Sequence, residues 1–153
     1  MADNVIRSIL APLTNGHVLL PNCTVGEILE FTPPEPFKQA PEWLLGEIAW
    51  CGWQVPIVNY ERLIDDNTNT KITSKCRIVI VKTLGESTQV NYIGILIQGL
   101  PKLKKITTTS LVEEKTGDLP NAVFSEISIG NLQAYIPDLC DLTRIIELAA
   151  YDN

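Results

Sequence analysis

One histidine, His17, serves the whole chain, which excludes a multi-histidine metal site and leaves no recognisable catalytic triad. It stands beside Gly16 in what reads as a turn before a strand, and a solvent-facing loop histidine is the expectation. A P-loop, a GxGxxG fingerprint and a GxSxG elbow are all missing, which removes the usual phosphate cradles and the hydrolase nucleophile turn. Cys23, Cys51, Cys76 and Cys140 lie far apart without a CxxC pair, so neither a zinc ribbon nor a thioredoxin-type site is spelled out. Buried free thiols are expected instead. Asp65-x-Asn67-x-Asn69 has the opening of a calcium loop, but Thr70 replaces its glycine and Cys76 its closing glutamate. Glu113, Glu114 and Asp118 have no spacing that pairs them as acid and base. No catalytic residue, cofactor or metal is expected from these patterns.

Long hydrophobic runs and positive charge are also scarce. The longest apolar runs, such as 78–81 and 92–97, fall far short of the about 20 residues that a membrane-spanning helix needs. Residues 1–4, Met-Ala-Asp-Asn, carry an acid where a secretory signal would be basic, so a cytoplasmic location is expected. Twelve basic against eighteen acidic residues give a net charge of −6, which opposes nucleic acid and anionic lipid as partners. Neither nucleic-acid binding nor direct membrane insertion is expected. Lys102, Lys104 and Lys105 form the one dense basic cluster. With no aromatic beside them to stack a base, they read as a solvated loop or a strand edge, or as a meeting point for an acidic protein.

What is present is a β-rich pattern in a chain of 153 residues, 45% of them hydrophobic, enough for the core of one domain. Short apolar runs at 18–20, 24–31, 47–50, 54–58, 77–82, 90–97, 122–129 and 132–136, with turn signals between them, predict a mainly β fold of small barrels or sandwiches. Gly130-Asn131 joins the last two as a hairpin. After Pro137, Asp138 can cap a C-terminal helix whose Leu139, Leu142, Ile145, Ile146 and Ala149 make one apolar stripe. Shorter turns are expected at 41–45 and 60–64. Polar breaks fall at Thr32-Pro33-Pro34-Glu35-Pro36 and at 65–70, and residues 65–72 are taken as the joint between two lobes of a single domain spanning 1–153.

The stretch "TVGEI" at 24–28 and "PEWLLGEIAWCGWQVPIVNYERLI" at 41–64 resemble the signature of the CheW-like chemotaxis coupling proteins. Trp43, Leu44, Leu45, Gly46, Ile48, Gly52, Val55, Pro56, Ile57 and Val58 match that pattern, while "YIGILIQGLPKLKKI" and "SEISIGNLQAYIPDLCDLTRII" are similar to its later strands and closing helix. The resemblance implies two intertwined five-stranded β-barrels with a C-terminal helix, no cofactor and no catalysis. It also implies two partners, the cytoplasmic tip of a chemoreceptor and the regulatory domain of a CheA-type histidine kinase, met in membrane-associated arrays. Gly46 and Gly52 would allow tight backbone geometry, Pro56 would mark a sheet edge, and Trp43 and Trp50 would be core rather than contact.

Four positions are carried over as partner-binding: Glu27, retained from the family pattern; Cys51, in place of the family arginine; Gln54; and Asn59, in place of a common aspartate. A further family aspartate is Gln98. These departures imply a divergent coupling protein, of the kind found in type IV pilus chemosensory systems that control twitching. Two readings from other classes stand beside it: a small β-barrel that binds a small-molecule ligand, and an enzyme assembled around carboxylates or Cys51.

Overall fold

Residues Arg77–Lys82, Arg-Ile-Val-Ile-Val-Lys, show how the chain builds its layers. Side chains alternate across a strand, so Ile78 and Ile80 face one way and Val79 and Val81 the other, yet all four are wholly buried. Each face therefore has its own core. Ile78 and Ile80 pack with Val55 and Ile57 inside one sheet. Val79 and Val81 join Val18, Leu20, Ile93, Ile95, Val123, Leu142 and Ile146, drawn from both sheets and the last helix. Strands buried on both sides read as unbroken hydrophobic runs, which is why this one shows no polar alternation.

The computed structural model describes residues 5–83, 89–107, 112–115 and 119–151. Segment 1–4 and Asp118, both used in the sequence reading, lie outside them. Eleven strands are described: β1 Val5–Pro12, β2 His17–Pro21, β3 Val25–Glu30, β4 Leu44–Trp50, β5 Trp53–Val58, β6 Arg77–Lys82, β7 Tyr92–Ile97, β8 Lys102–Thr107, β9 Val112–Lys115, β10 Val123–Ile129 and β11 Leu132–Pro137. Helix α1 spans Tyr60–Ile64 and α2 spans Leu139–Ala150. One sheet runs β8-β1-β2-β11-β10-β9 and the other β3-β6-β7-β5-β4. The two ends of the chain thus build the first sheet and its middle builds the second.

The fold is mainly β with a C-terminal helix, as the sequence reading has it, and the eight predicted runs are all strands. The first sheet has six strands rather than five, because β1, β8 and β9 join it. The lysine-rich segment is its edge strand, paired to β1 alone among the described residues. The polar stretch 65–72 lies between α1 and β6, inside the run of the five-stranded sheet. Passage between sheets occurs instead at the 3-10 turn Asn22–Thr24 and over 98–101, where Gln98 N–H donates to Pro12 at 2.8 Å. Pro56 sits on an interior strand: β5 pairs with β4 throughout, but with β7 only from Ile57 onward. The proline thus occupies a stretch open on one side only, where its missing N–H costs no ladder bond to β7.

Helix α2 begins as its sequence foretold. The Asp138 side chain accepts from Asp141 N–H at 3.0 Å, and Leu139, Leu142, Thr143 and Ile146 are buried against the shared core. Of the four cysteines only Cys76 is buried; Cys23, Cys51 and Cys140 are exposed free thiols. Cysteine is small enough to sit in turns and on helix flanks, so composition alone overstated its burial. His17 opens β2 rather than a loop and is half-buried, its Nδ1 3.4 Å from the Gln133 carbonyl.

Candidate functional site

Strands β4 and β5 meet in a two-residue turn, Cys51-Gly52, closed by the pair Trp50 and Trp53. Both turn residues have positive φ, 49° and 81°, the pattern of a type I′ turn, which suits the twist of the strands it joins. The pairing places the two indoles on one face of the hairpin. Tyr92, at the start of β7, completes an aromatic group: its ring lies 5.0 Å from Trp50, edge-on, and 5.5 Å from Trp53. Trp53 is 43% exposed, so this group is an apolar surface as well as a lid on the small core of β5 and β6.

The same indole ties the two edges of the five-stranded sheet together. Strands β3 and β4 are opposite edges of that sheet, yet Trp50 Nε1 donates to Glu27 on β3 at 2.9 Å. Gly26 makes room for this: a Cβ there would meet the Trp50 ring at 3.2 Å. The sheet is curled until its edges touch, and Glu27 is fixed beside the aromatic group.

Glu27, Cys51 and Gln54, three of the residues singled out from the sequence, are exposed and fall in this region. Asn59 is placed apart from them. It is buried, and its side chain caps α1 by accepting from Arg62 N–H at 3.3 Å. Trp53 and Tyr92 were not singled out; the two-residue spacing of Trp50-Cys51-Gly52-Trp53 could have paired the tryptophans, but nothing local brings in Tyr92. Trp43 and Trp50 are both half-buried against core clusters. Gly46 has a φ of 142°, and a Cβ on it would lie 2.3 Å from the Glu35 carbonyl oxygen. That closeness lets the proline loop bond to β4 through Glu35 and Glu47 at 2.9 Å in both directions, covering the edge there.

The polar groups with displaced proton affinity lie elsewhere and are structural. Tyr60 is fully buried and donates to the Ala122 carbonyl at 2.8 Å; burial raises its pKa far above the usual tyrosine range. Tyr151 is raised too, by burial first and then by the Glu47 carboxylate that accepts its proton at 3.1 Å. Among the described residues no three His, Cys, Asp or Glu side chains group as a metal site would require, and no helix is long and apolar enough to cross a membrane.

Comparison with known proteins follows the same lines. The family model described as CheW-like domain matches residues 8–146. Among solved structures, the chain is similar to the scaffolding protein TtCheW from Thermoanaerobacter tengcongensis, with a TM-score of 0.73 and 17% identity, over 89% of this chain and 90% of that one. At that identity the likeness speaks for the fold. No curated protein matches the sequence.

Proposed function

This chain belongs to the CheW-like domain family, and on that premise we propose that it is a scaffolding adaptor of chemosensory signalling, coupling chemoreceptor tips to a CheA-type histidine kinase. It works by surface complementarity and not by catalysis. The observation that carries the reading is the cluster of Glu27, Trp50, Trp53 and Tyr92 around the Cys51-Gly52 turn: an aromatic patch with one hydrogen-bonded carboxylate and an exposed tip. Aromatic groups of this kind anchor protein interfaces, because they bury a large area for little loss of side-chain freedom. Glu27 bonds to this cluster and Cys51 sits at its turn, whereas Gln54 is exposed on the opposite face of β5 and Asn59 is buried as the cap of α1.

Cys51 stands where the family pattern has arginine, so the positive charge usually next to this glutamate is replaced by a neutral thiol. This departure supports assignment to an accessory system, and control of type IV pilus twitching is the assignment we make. A deletion strain that loses twitching and keeps swimming is expected; the reverse outcome removes that assignment while leaving the adaptor role. The adaptor role itself is tested by capture of the purified kinase regulatory domain and of receptor-tip fragments, read separately. Glu27→Ala is expected to weaken at least one of them by about 1 kcal/mol or more, with the melting temperature little changed. Capture of neither fragment by the unaltered chain overturns the proposal.

A further inference from the structure

The chain is acidic, yet one part of it contains no acid at all. Residues 5–24 and 98–107 carry Arg7, Lys102, Lys104 and Lys105 and not one Asp or Glu, a charge of +4; the whole chain is at −6, so the remainder stands at −10. The fold draws these two segments into a single feature, since β1 and β8 are antiparallel neighbours with Arg7 opposite Lys105 and Ser8 opposite Lys104. All four cations are exposed, and no ion pair to any of them is found among the described residues. A cavity of about 310 Å³ has Arg7, Leu103, Lys104 and Lys105 in its lining, and Leu103 is 76% exposed. Strand β8 is also an end of the six-stranded sheet, and its residues 102–106 are paired in that sheet to β1 alone among the described residues.

We propose that this edge is a docking site for an extended acidic segment of a partner protein, which adds to β8 as a further strand. Such a segment alternates its side chains across the sheet, so carboxylates on one face would meet Lys102 and Lys104, and on the other face Lys105 and Arg7. Lysines on a sheet edge repel uncontrolled pairing, because a neutral strand leaves them partly desolvated and a basic one repels them. An acidic strand removes both penalties, and the edge becomes selective. A second copy of this chain pairing β8 to β8 would set lysine against lysine. The surface belongs to the other sheet from the Glu27 cluster, so it stands or falls separately from the adaptor role.

The test uses the full chain and a fluorescent seven-residue peptide, Glu-Glu-Val-Glu-Glu-Val-Glu, which carries glutamates on both faces of a strand, with a lysine-for-glutamate peptide as control. Saturable anisotropy is expected with the acidic peptide alone, weakening with added salt. Amide hydrogens of residues 102–106 are expected to gain protection from exchange. Combined Lys102→Gln, Lys104→Gln and Lys105→Gln should weaken binding roughly tenfold while the melting temperature holds, since these side chains are exposed. No binding, equal binding of the two peptides, or protection confined to another surface overturns the proposal. So does a shift of the chain to a dimer that blocks the peptide, or preferential binding to phosphatidylglycerol vesicles in its place.

Discussion

At the scale of single residues, two small side chains decide more than the large ones. Gly94, in the middle of β7, faces Ile57 and Ile78: a Cβ there would lie 2.4 Å from Ile57 Cδ1 and 2.8 Å from Ile78 Cγ2. Both isoleucines are wholly buried, so neither has free space to turn into. Gly94→Ala is expected to destabilise the protein by about 1–3 kcal/mol through overpacking, read as a lower urea midpoint at unchanged slope. A neutral result would mean that the isoleucines repack. Cys51 is the opposite case: it is exposed, but its φ of 49° is one that L residues other than asparagine and aspartate adopt at a cost. Cys51→Asn gives the Asn-Gly pair that a type I′ turn favours and is expected to raise stability by about 0.5–1 kcal/mol in the same urea titration. The glycine in "YIGILI" reads only as a weak strand position, because its neighbours across the sheet are not its neighbours in sequence.

Among the elements, the C-terminal helix was the most legible and the lysine strand the least. Asp138 and the stripe of Leu139, Leu142 and Ile146 are local signals, and the helix obeys them. Strand β8 has lysines where a half-buried strand would have apolar residues, and only its place at a sheet edge makes that sequence a strand. The start of α2 also carries the clearest pH dependence. Asp141 accepts from Arg144 and from the Ala122 N–H, the latter at 2.8 Å, and these bonds hold its carboxyl below the usual aspartate value. A depressed pKa adds stability that is fully present above the unfolded-state value of about 3.9 and is lost as pH falls through the folded-state value. Asp141→Asn should therefore be less stable than the parent at neutral pH, by no more than about 1 kcal/mol because the group is partly exposed. Urea midpoints of the two proteins should converge in strong acid. A gap that stays constant with pH would assign the loss to packing instead.

The whole molecule is held across its two sheets by the shared core and by two buried groups of α1, the Tyr60 hydroxyl, which donates to Ala122, and the Glu61 carboxylate. Glu61 on α1 is 4% exposed, accepting from Thr14 N–H at 2.7 Å, Thr14 Oγ1 at 2.6 Å and Thr70 Oγ1 at 2.9 Å. Thr14 lies between β1 and β2 of the six-stranded sheet, whereas α1 follows β5 of the other, so the glutamate bonds one sheet's turn to the other's helix. Removing it leaves the Thr14 and Thr70 donors without their acceptor, and because these residues keep access to water Glu61→Ala is expected to cost about 1–2 kcal/mol. A single cooperative urea transition should persist, because Val79, Val81, Ile93 and Ile95 still pack against Val18 and Leu20. Two separate transitions would show that the carboxylate, and not the core, couples the sheets.

Local chemistry in the sequence determined eight of the eleven described strands, the hairpin at Gly130-Asn131, the capped final helix and the resemblance carried by residues 41–64, since apolar period, turn residues and caps act over a few positions. Tertiary structure alone decided that Trp50 reaches across to Glu27, that Tyr92 joins the aromatic group, that Asn59 turns inward as a cap, and that two distant basic segments become one edge. Those outcomes depend on sheet order and curl, which bring together residues tens of positions apart, and no pattern within a short window encodes such a meeting.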